Sequence, residues 1–185
     1  MKILLHVCCG PCATYPFAAL AGEGHEVDGY FFNPNIHPYR EYLLREEAAR
    51  EFARRAGRKI IIPAGYDPSG FFRSIANREE ERCRWCYLHR LSAAAAAARA
   101  GGYQAFTTTL LLSPHQKRRW VIEAGDLAAR EKGVDFLDRD FRGGWREHWS
   151  AVEKMGLYKQ QYCGCLFSEY ERFRSAPASA ASAGK

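Results

Sequence analysis

Seven cysteines stand in three groups, Cys8-Cys9-x-x-Cys12, Cys83-x-x-Cys86 and Cys163-x-Cys165. Within each group the spacing lets neighbouring sulfurs approach one metal from a tight turn or a helix start, while the groups themselves can meet only through tertiary folding. A cytoplasmic chain disfavours structural disulfides, and an odd number of thiols cannot all pair internally. Metal binding is therefore the expected use of all seven: Cys8, Cys9, Cys12, Cys83, Cys86, Cys163 and Cys165. Taken in isolation, Cys83-x-x-Cys86 favours zinc, but one zinc employs about four thiolates and leaves the others idle. Thioredoxin-like chemistry at one pair likewise leaves the remaining groups unexplained. A four-iron cluster with a neighbouring thiolate-bound metal fits seven better. Spacing leaves open how the seven divide, and it does not name a reaction.

Other residues could serve such a centre. His37 and His115 fall on loops expected at strand ends, where either could move a proton near neutral pH; holding a loop by hydrogen bonds is an equally weighted role. His6 lies on an apolar run and reads as a satisfied core histidine. Asn33 and Asn35 suit a turn. Lys117, Arg118 and Arg119 cluster at an expected helix start, where cations oppose the helix dipole. Phosphate contact is a use for them, weighed evenly against a solvated face; Arg82, Arg84 and Arg90 are further candidates. Tyr39 or Trp85 could stack on an extruded base, although packing in the core is the more frequent use of an aromatic side chain.

The elements that must position these residues alternate. Lys2–Val7 reads as a buried strand, residues 13–21 as a helix, Val27–Phe32 as a strand, and Tyr39–Ala56 as an amphipathic helix stopped by Gly57. A strand over Lys59–Ile62, a loop with a short helix near 66–77, and a helix over Arg82–Ala100 follow. Ala105–Leu112 is expected as a strand, Pro114–Lys132 as a helix and Val134–Leu137 as a last strand. Such alternation predicts an α/β fold, a parallel sheet flanked by helices, with its site beyond the C-terminal strand ends. The expected organisation is one metal-binding catalytic domain over residues 1–174 and a flexible tail over 175–185.

At 47% hydrophobic and 26% charged residues, composition excludes a disordered chain. The apolar start ends at Cys8, too soon for a signal peptide or a membrane span, so a cytoplasmic protein is expected. A net charge of +6 suits an anionic partner.

Five ordered blocks carry a more specific signal. They are His6-Val7-Cys8-Cys9-Gly10-Pro11-Cys12, Phe32-Asn33-Pro34-Asn35-Ile36-His37-Pro38, Glu81-Arg82-Cys83-Arg84-Trp85-Cys86, the run from Phe106 to Gln116, and the run from Leu157 to Cys165. In this order, from about Lys2 to Phe173, the chain resembles the cobalamin-independent epoxyqueuosine reductases. The resemblance implies reductive removal of an epoxide oxygen from epoxyqueuosine at the tRNA wobble position, the last step of queuosine biosynthesis. It also implies a [4Fe-4S] cluster with an adjacent iron, an adenine-nucleotide alpha-hydrolase-like fold, and no cobalamin. An external donor such as ferredoxin or flavodoxin would supply electrons, and an open iron would act as a Lewis acid on the epoxide oxygen. At Cys12 the family also accepts a carboxylate, which suits a lone iron better than a cluster corner. The Ser-Gly-Gly pyrophosphate loop of ATP-using relatives is missing, so no ATP chemistry is expected. The rival readings are a tRNA-sulfurating iron–sulfur enzyme, a zinc-stabilised RNA-binding module and a small electron carrier.

Overall fold

The structure, a computed structural model, describes residues 1–174; the tail expected over 175–185 lies outside the described residues. Five strands form one parallel sheet in the order β3-β2-β1-β4-β5: β1 (Lys2–His6), β2 (Glu26–Tyr30), β3 (Ile60–Ile61), β4 (Ala105–Thr108) and β5 (Asp135–Phe136). The helices are α1 (Gly10–Gly22), α2 (Tyr39–Ala56), α3 (Pro68–Ile75), α4 (Arg82–Ala100), α5 (Arg118–Lys132), α6 (Trp145–Lys154) and α7 (Leu166–Phe173). The expected α/β class is found.

The centre of the sheet explains the apolar opening of the chain. Leu5 pairs in register with Gly29 on one side and Thr107 on the other. Ile3, Leu4, Leu5 and Val7 are all fully buried, as a strand covered on both faces requires. Because the three central strands run the same way, their C-terminal ends deliver three loops to one edge: residues 7–9, 31–38 and 109–117.

α1 follows β1 with Pro11 in its first turn, where a missing N–H costs nothing. Gly10 permits the entry. A Cβ there would lie 2.1 Å from the carbonyl oxygen of Ala48, so the start of α1 rests directly on the backbone of α2. α3 realises the expected short helix, its N-cap Asp67 accepting from the N–H groups of Ser69 and Gly70.

Two boundaries differ from expectation by four residues, the others by less. β4 ends at Thr108 rather than Leu112, because the Thr108 hydroxyl accepts from Leu110 N–H at 3.1 Å and turns the chain into a 3-10 turn over Thr109–Leu111. α5 begins at Arg118, after a turn in which Ser113 Oγ accepts from His115 N–H. Beyond Leu137 no element was expected; α6 and α7 occupy that stretch. Among the described residues no helix is long and apolar enough to cross a membrane.

Candidate metal centre

β1 hands Cys8 and Cys9 to the sheet edge, and the first turn of α1 brings Cys12 back beside them. The ligand atoms of the three lie within 4.8 Å of one another, so the trio could hold a metal ion. Cys8 and Cys9 Sγ are 3.8 Å apart. Thr109 fixes Cys8 from β4's extension: its hydroxyl accepts from Cys8 N–H at 3.1 Å and donates to Cys8 Sγ at 3.2 Å. Hydrogen bonds from Cys12 and Cys9 hold the Cys8 thiol well below its ordinary pKa against the opposing effect of burial. Burial raises Cys9, and hydrogen bonding to Cys8 raises Cys12. The trio thus favours a thiolate at Cys8, the form a metal needs.

The other four cysteines come from two elements; among the described residues only the first trio has its ligand atoms within 4.8 Å of one another. Cys83 and Cys86 stand in the first turns of α4, at its positive end. Cys165 caps α7, its Sγ accepting from Ser168 N–H at 3.4 Å, and Cys163 precedes it. Cys86 and Cys165 are buried in one small apolar cluster with Phe71 and Ile75, against which Trp85 and Phe167 pack. Burial pushes the Cys86 thiol up to about 12, with Cys163, Cys165 and Cys83 acting in the same direction and Arg90 opposing. Cys83 is likewise raised by burial and then by Cys163.

Two buried arginines tie the centre together. Arg90, on α4, donates to the Cys86 carbonyl and to Asn33 Oδ1, both at 3.3 Å. Burial opposes its charge, but Cys86, Cys163 and Cys8 together hold it above its ordinary value. It therefore lies within electrostatic reach of thiols from both groups. Arg45, on α2, pairs with Glu41 at 2.7 Å and donates to the carbonyls of Cys163 and Tyr162, anchoring the C-terminal cysteine loop. Two side-chain amides reach sulfur as well: Gln160 Nε2 to Cys12 Sγ at 3.4 Å and Gln116 Nε2 to Cys163 Sγ at 3.5 Å. Packed thiols, N–H donors aimed at sulfur and a buried cation make a donor set suited to thiolate-bound iron.

A cavity of about 670 Å³ opens on Cys8, Cys12 and Cys163, bounded by Arg90, Gln116, Gln160 and the α6 side chains Trp145, His148 and Trp149. His115 also lines it, on an exposed turn. His37 does not. Its ring is packed between Phe71 and Phe72, centroids 5.2 and 4.6 Å away, and burial lowers its pKa to about 4. What His37 contributes is backbone, its N–H donating to Gly164 O at 2.7 Å. His6 is the satisfied core histidine expected, between Thr108 Oγ1 and the Phe32 carbonyl, with burial lowering its pKa to about 3. Asn33 ties its loop to the Val7 carbonyl at 2.9 Å.

The surface cations are mostly partnered. Arg118 pairs with Asp138 at 2.6 Å and Arg119 with Glu123 at 2.8 Å, while Lys117 lies over the Trp120 ring. Arg82 pairs with Glu171 and Arg84 with Glu123. Tyr39 stacks on Tyr42, and Trp85 lies under Arg78; neither lines the cavity. Gln116, Gln160, His148, Trp145 and Trp149 were not expected at the site. The first two lie in the motif blocks, but nothing local marks a glutamine as a neighbour of sulfur.

Comparison with known proteins returns one family consistently. Residues 3–171 match the family model described as epoxyqueuosine reductase QueH. A protein of Dehalococcoides mccartyi named epoxyqueuosine reductase QueH is 38% identical over 172 residues, covering 93% of this chain and 94% of the relative. Its namesake in Streptococcus pyogenes is 33% identical, covering 90% and 70%. Among solved structures, a predicted subunit of tRNA methyltransferase from Methanocaldococcus jannaschii superposes with a TM-score of 0.58 over 83% of this chain and 76% of that one. At 11% identity that likeness speaks for the fold alone.

Proposed function

The chain belongs to the epoxyqueuosine reductase QueH family, and from that premise we propose that it reduces epoxyqueuosine in tRNA to queuosine at the cavity bounded by its cysteines. The observation that carries this reading is the opening of Cys8, Cys12 and Cys163, from the two ends of the chain, onto one cavity of about 670 Å³. Residues 1–174 act in it as one catalytic domain.

The reaction takes up two electrons and two protons. Both carbon–oxygen bonds of the epoxide break, a carbon–carbon double bond forms, and the oxygen leaves as water. When bound, a [4Fe-4S] cluster on Cys83, Cys86, Cys163 and Cys165 and a further iron on Cys8, Cys9 and Cys12 would supply single electrons and a Lewis acid for the departing oxygen. Gln116 and Gln160 withdraw electron density from sulfur through their N–H groups, which favours the reduced state. Arg90 offsets the negative charge that thiolates bring into a buried site. His115, on the cavity wall, serves as proton donor; His37, enclosed by phenylalanine rings, supports the loop instead. Lys117, with Arg118 and Arg119 after exchange of their carboxylate partners, contacts tRNA phosphates, making binding salt-dependent. The donor is a one-electron carrier of the ferredoxin or flavodoxin class, and neither cobalamin nor ATP takes part.

Anaerobic reconstitution with iron and sulfide tests this. Brown protein that converts epoxyqueuosine-tRNA when supplied with a reduced carrier is the expected result. Full turnover by a metal-free preparation, or a colourless zinc protein that binds RNA without converting it, would overturn the reading.

A further inference from the structure

α6 turns an aromatic face to the cavity that the electron chemistry leaves unused. Trp145, His148 and Trp149 share one side of the helix, at i, i+3 and i+4, and all three line the space onto which Cys8 and Cys12 open. The His148 ring lies 5.2 Å from Trp145 and 4.8 Å from Trp149, and the two indoles meet edge to face at 5.6 Å.

This face is held rigidly against α1. A Cβ at Gly144 would fall 2.1 Å from the Tyr15 ring, so α6 begins in direct contact with that tyrosine. His148 Nδ1 sits 3.1 Å from Thr14 Oγ1, whose own hydroxyl donates to the Pro11 carbonyl at 2.9 Å. A hydroxyl has one proton to give. The arrangement that satisfies both contacts gives the Thr14 proton to Pro11 and places the hydrogen between Thr14 and His148 on Nδ1. Nε2 is therefore left with its lone pair, and among the described residues no group donates to it. Burial lowers the His148 pKa, consistent with a neutral ring.

The cavity thus offers π faces and one hydrogen-bond acceptor of fixed tautomer, in a volume suited to a nucleobase and its substituent. We propose that Trp145, His148 and Trp149 hold the purine-like base of the tRNA substrate, the indoles stacking on it and His148 Nε2 accepting from an N–H on its edge. This rests on the tRNA-base substrate of the preceding reading and adds a source of selectivity. A guanine-type edge presents a ring N–H and an amino group, whereas an adenine-type edge presents a ring lone pair where the guanine has its N–H. Two facing lone pairs repel, and a buried acceptor left unpaired disfavours the wrong base.

The test uses the reconstituted full chain and end-labelled synthetic anticodon stem–loops with guanosine or adenosine at the wobble position, followed by fluorescence anisotropy. Wild type should bind the guanosine loop roughly tenfold more tightly. His148→Leu should bring the two within about twofold by weakening the guanosine loop. Trp145→Leu and Trp149→Leu should each weaken both loops about tenfold and leave the ratio intact, since stacking is tolerant of base identity. No preference in wild type, a preference that survives His148→Leu, or wild-type binding by both tryptophan variants overturns the proposal. Should His148→Leu fail to fold, Thr14→Val takes its place: it frees the tautomer and should erode the preference about threefold, and an unchanged preference counts against us. Turnover of epoxyqueuosine-tRNA by wild type, measured alongside, reports on the reductase reading separately. Turnover without discrimination overturns only the base site, and discrimination without turnover supports the base site while removing the reductase.

Discussion

The hydroxyl of Thr109 closes a two-way link with Cys8, accepting from its backbone N–H at 3.1 Å and donating to its sulfur at 3.2 Å. One side chain just after β4 thereby positions Cys8 and adds to the lowering of its thiol pKa, behind the larger effects of Cys12 and Cys9. Thr109→Val keeps the shape and removes both bonds. The buried N–H loses its partner, so stability should fall by about 1–3 kcal/mol in urea unfolding. The Cys8 thiol should also titrate at higher pH, seen as slower alkylation of the metal-free protein at neutral pH.

The proposed division of the cysteines between a cluster and a lone iron predicts separable losses. In reconstituted Cys9→Ala, iron should fall by about one per chain while the brown colour persists. Cys86→Ala should lose about four irons together with the visible absorbance. Iron and sulfide assays decide, and equal losses in both variants would contradict the division.

Arg90, buried on the cavity wall, lies within electrostatic reach of thiols of both groups. Arg90→Met retains much of the volume and removes the charge. Iron retention against a competing chelator should weaken about tenfold, with Arg90→Lys intermediate. Retention equal to wild type would show that the buried cation serves the fold alone.

His37 gives the metal-free protein a pH dependence of known sign. Its folded pKa is lowered to about 4 by burial, against 6.5 in the unfolded chain. Between those values the unfolded state binds the extra proton, so its contribution is complete above pH 6.5 and declines as the pH falls toward 4. Urea midpoints should drop between pH 7 and 5, and His37→Leu should make that slope shallower, with His6 and His148, also lowered by burial, contributing to what remains.

Much of the fold is legible from the chain because its signals are local. Leu4 and Leu5 sit in an apolar run that reads as a buried strand, and Gly57 stops α2 where a left-handed residue is needed. β4 was expected too long because its threonines look like strand formers, whereas the Thr108 hydroxyl bends the chain. The site is another matter. The expectation of metal binding comes from the number and spacing of the cysteines, whereas the packing of Cys165 beside Cys86 emerges only in the fold. Arg90 reads, with Arg82 and Arg84, as a candidate phosphate contact and Arg45 is not singled out, since an arginine carries no local mark of burial. His148 lies in a charged stretch, and only the approach of α6 to Thr14 gives it a role.

The contact of Gly10 with the backbone of α2 has a bearing on how this chain tolerates change. With no room for even a methyl group, the segment from Cys8 to Cys12 cannot lengthen, shorten or swing without prying two helices apart. A library of random insertions would fill the exposed pair Ala64-Gly65 and leave this turn empty. The length of the chain between its first cysteines is thus as constrained as the cysteines themselves, and a single added residue there would act like the loss of a ligand.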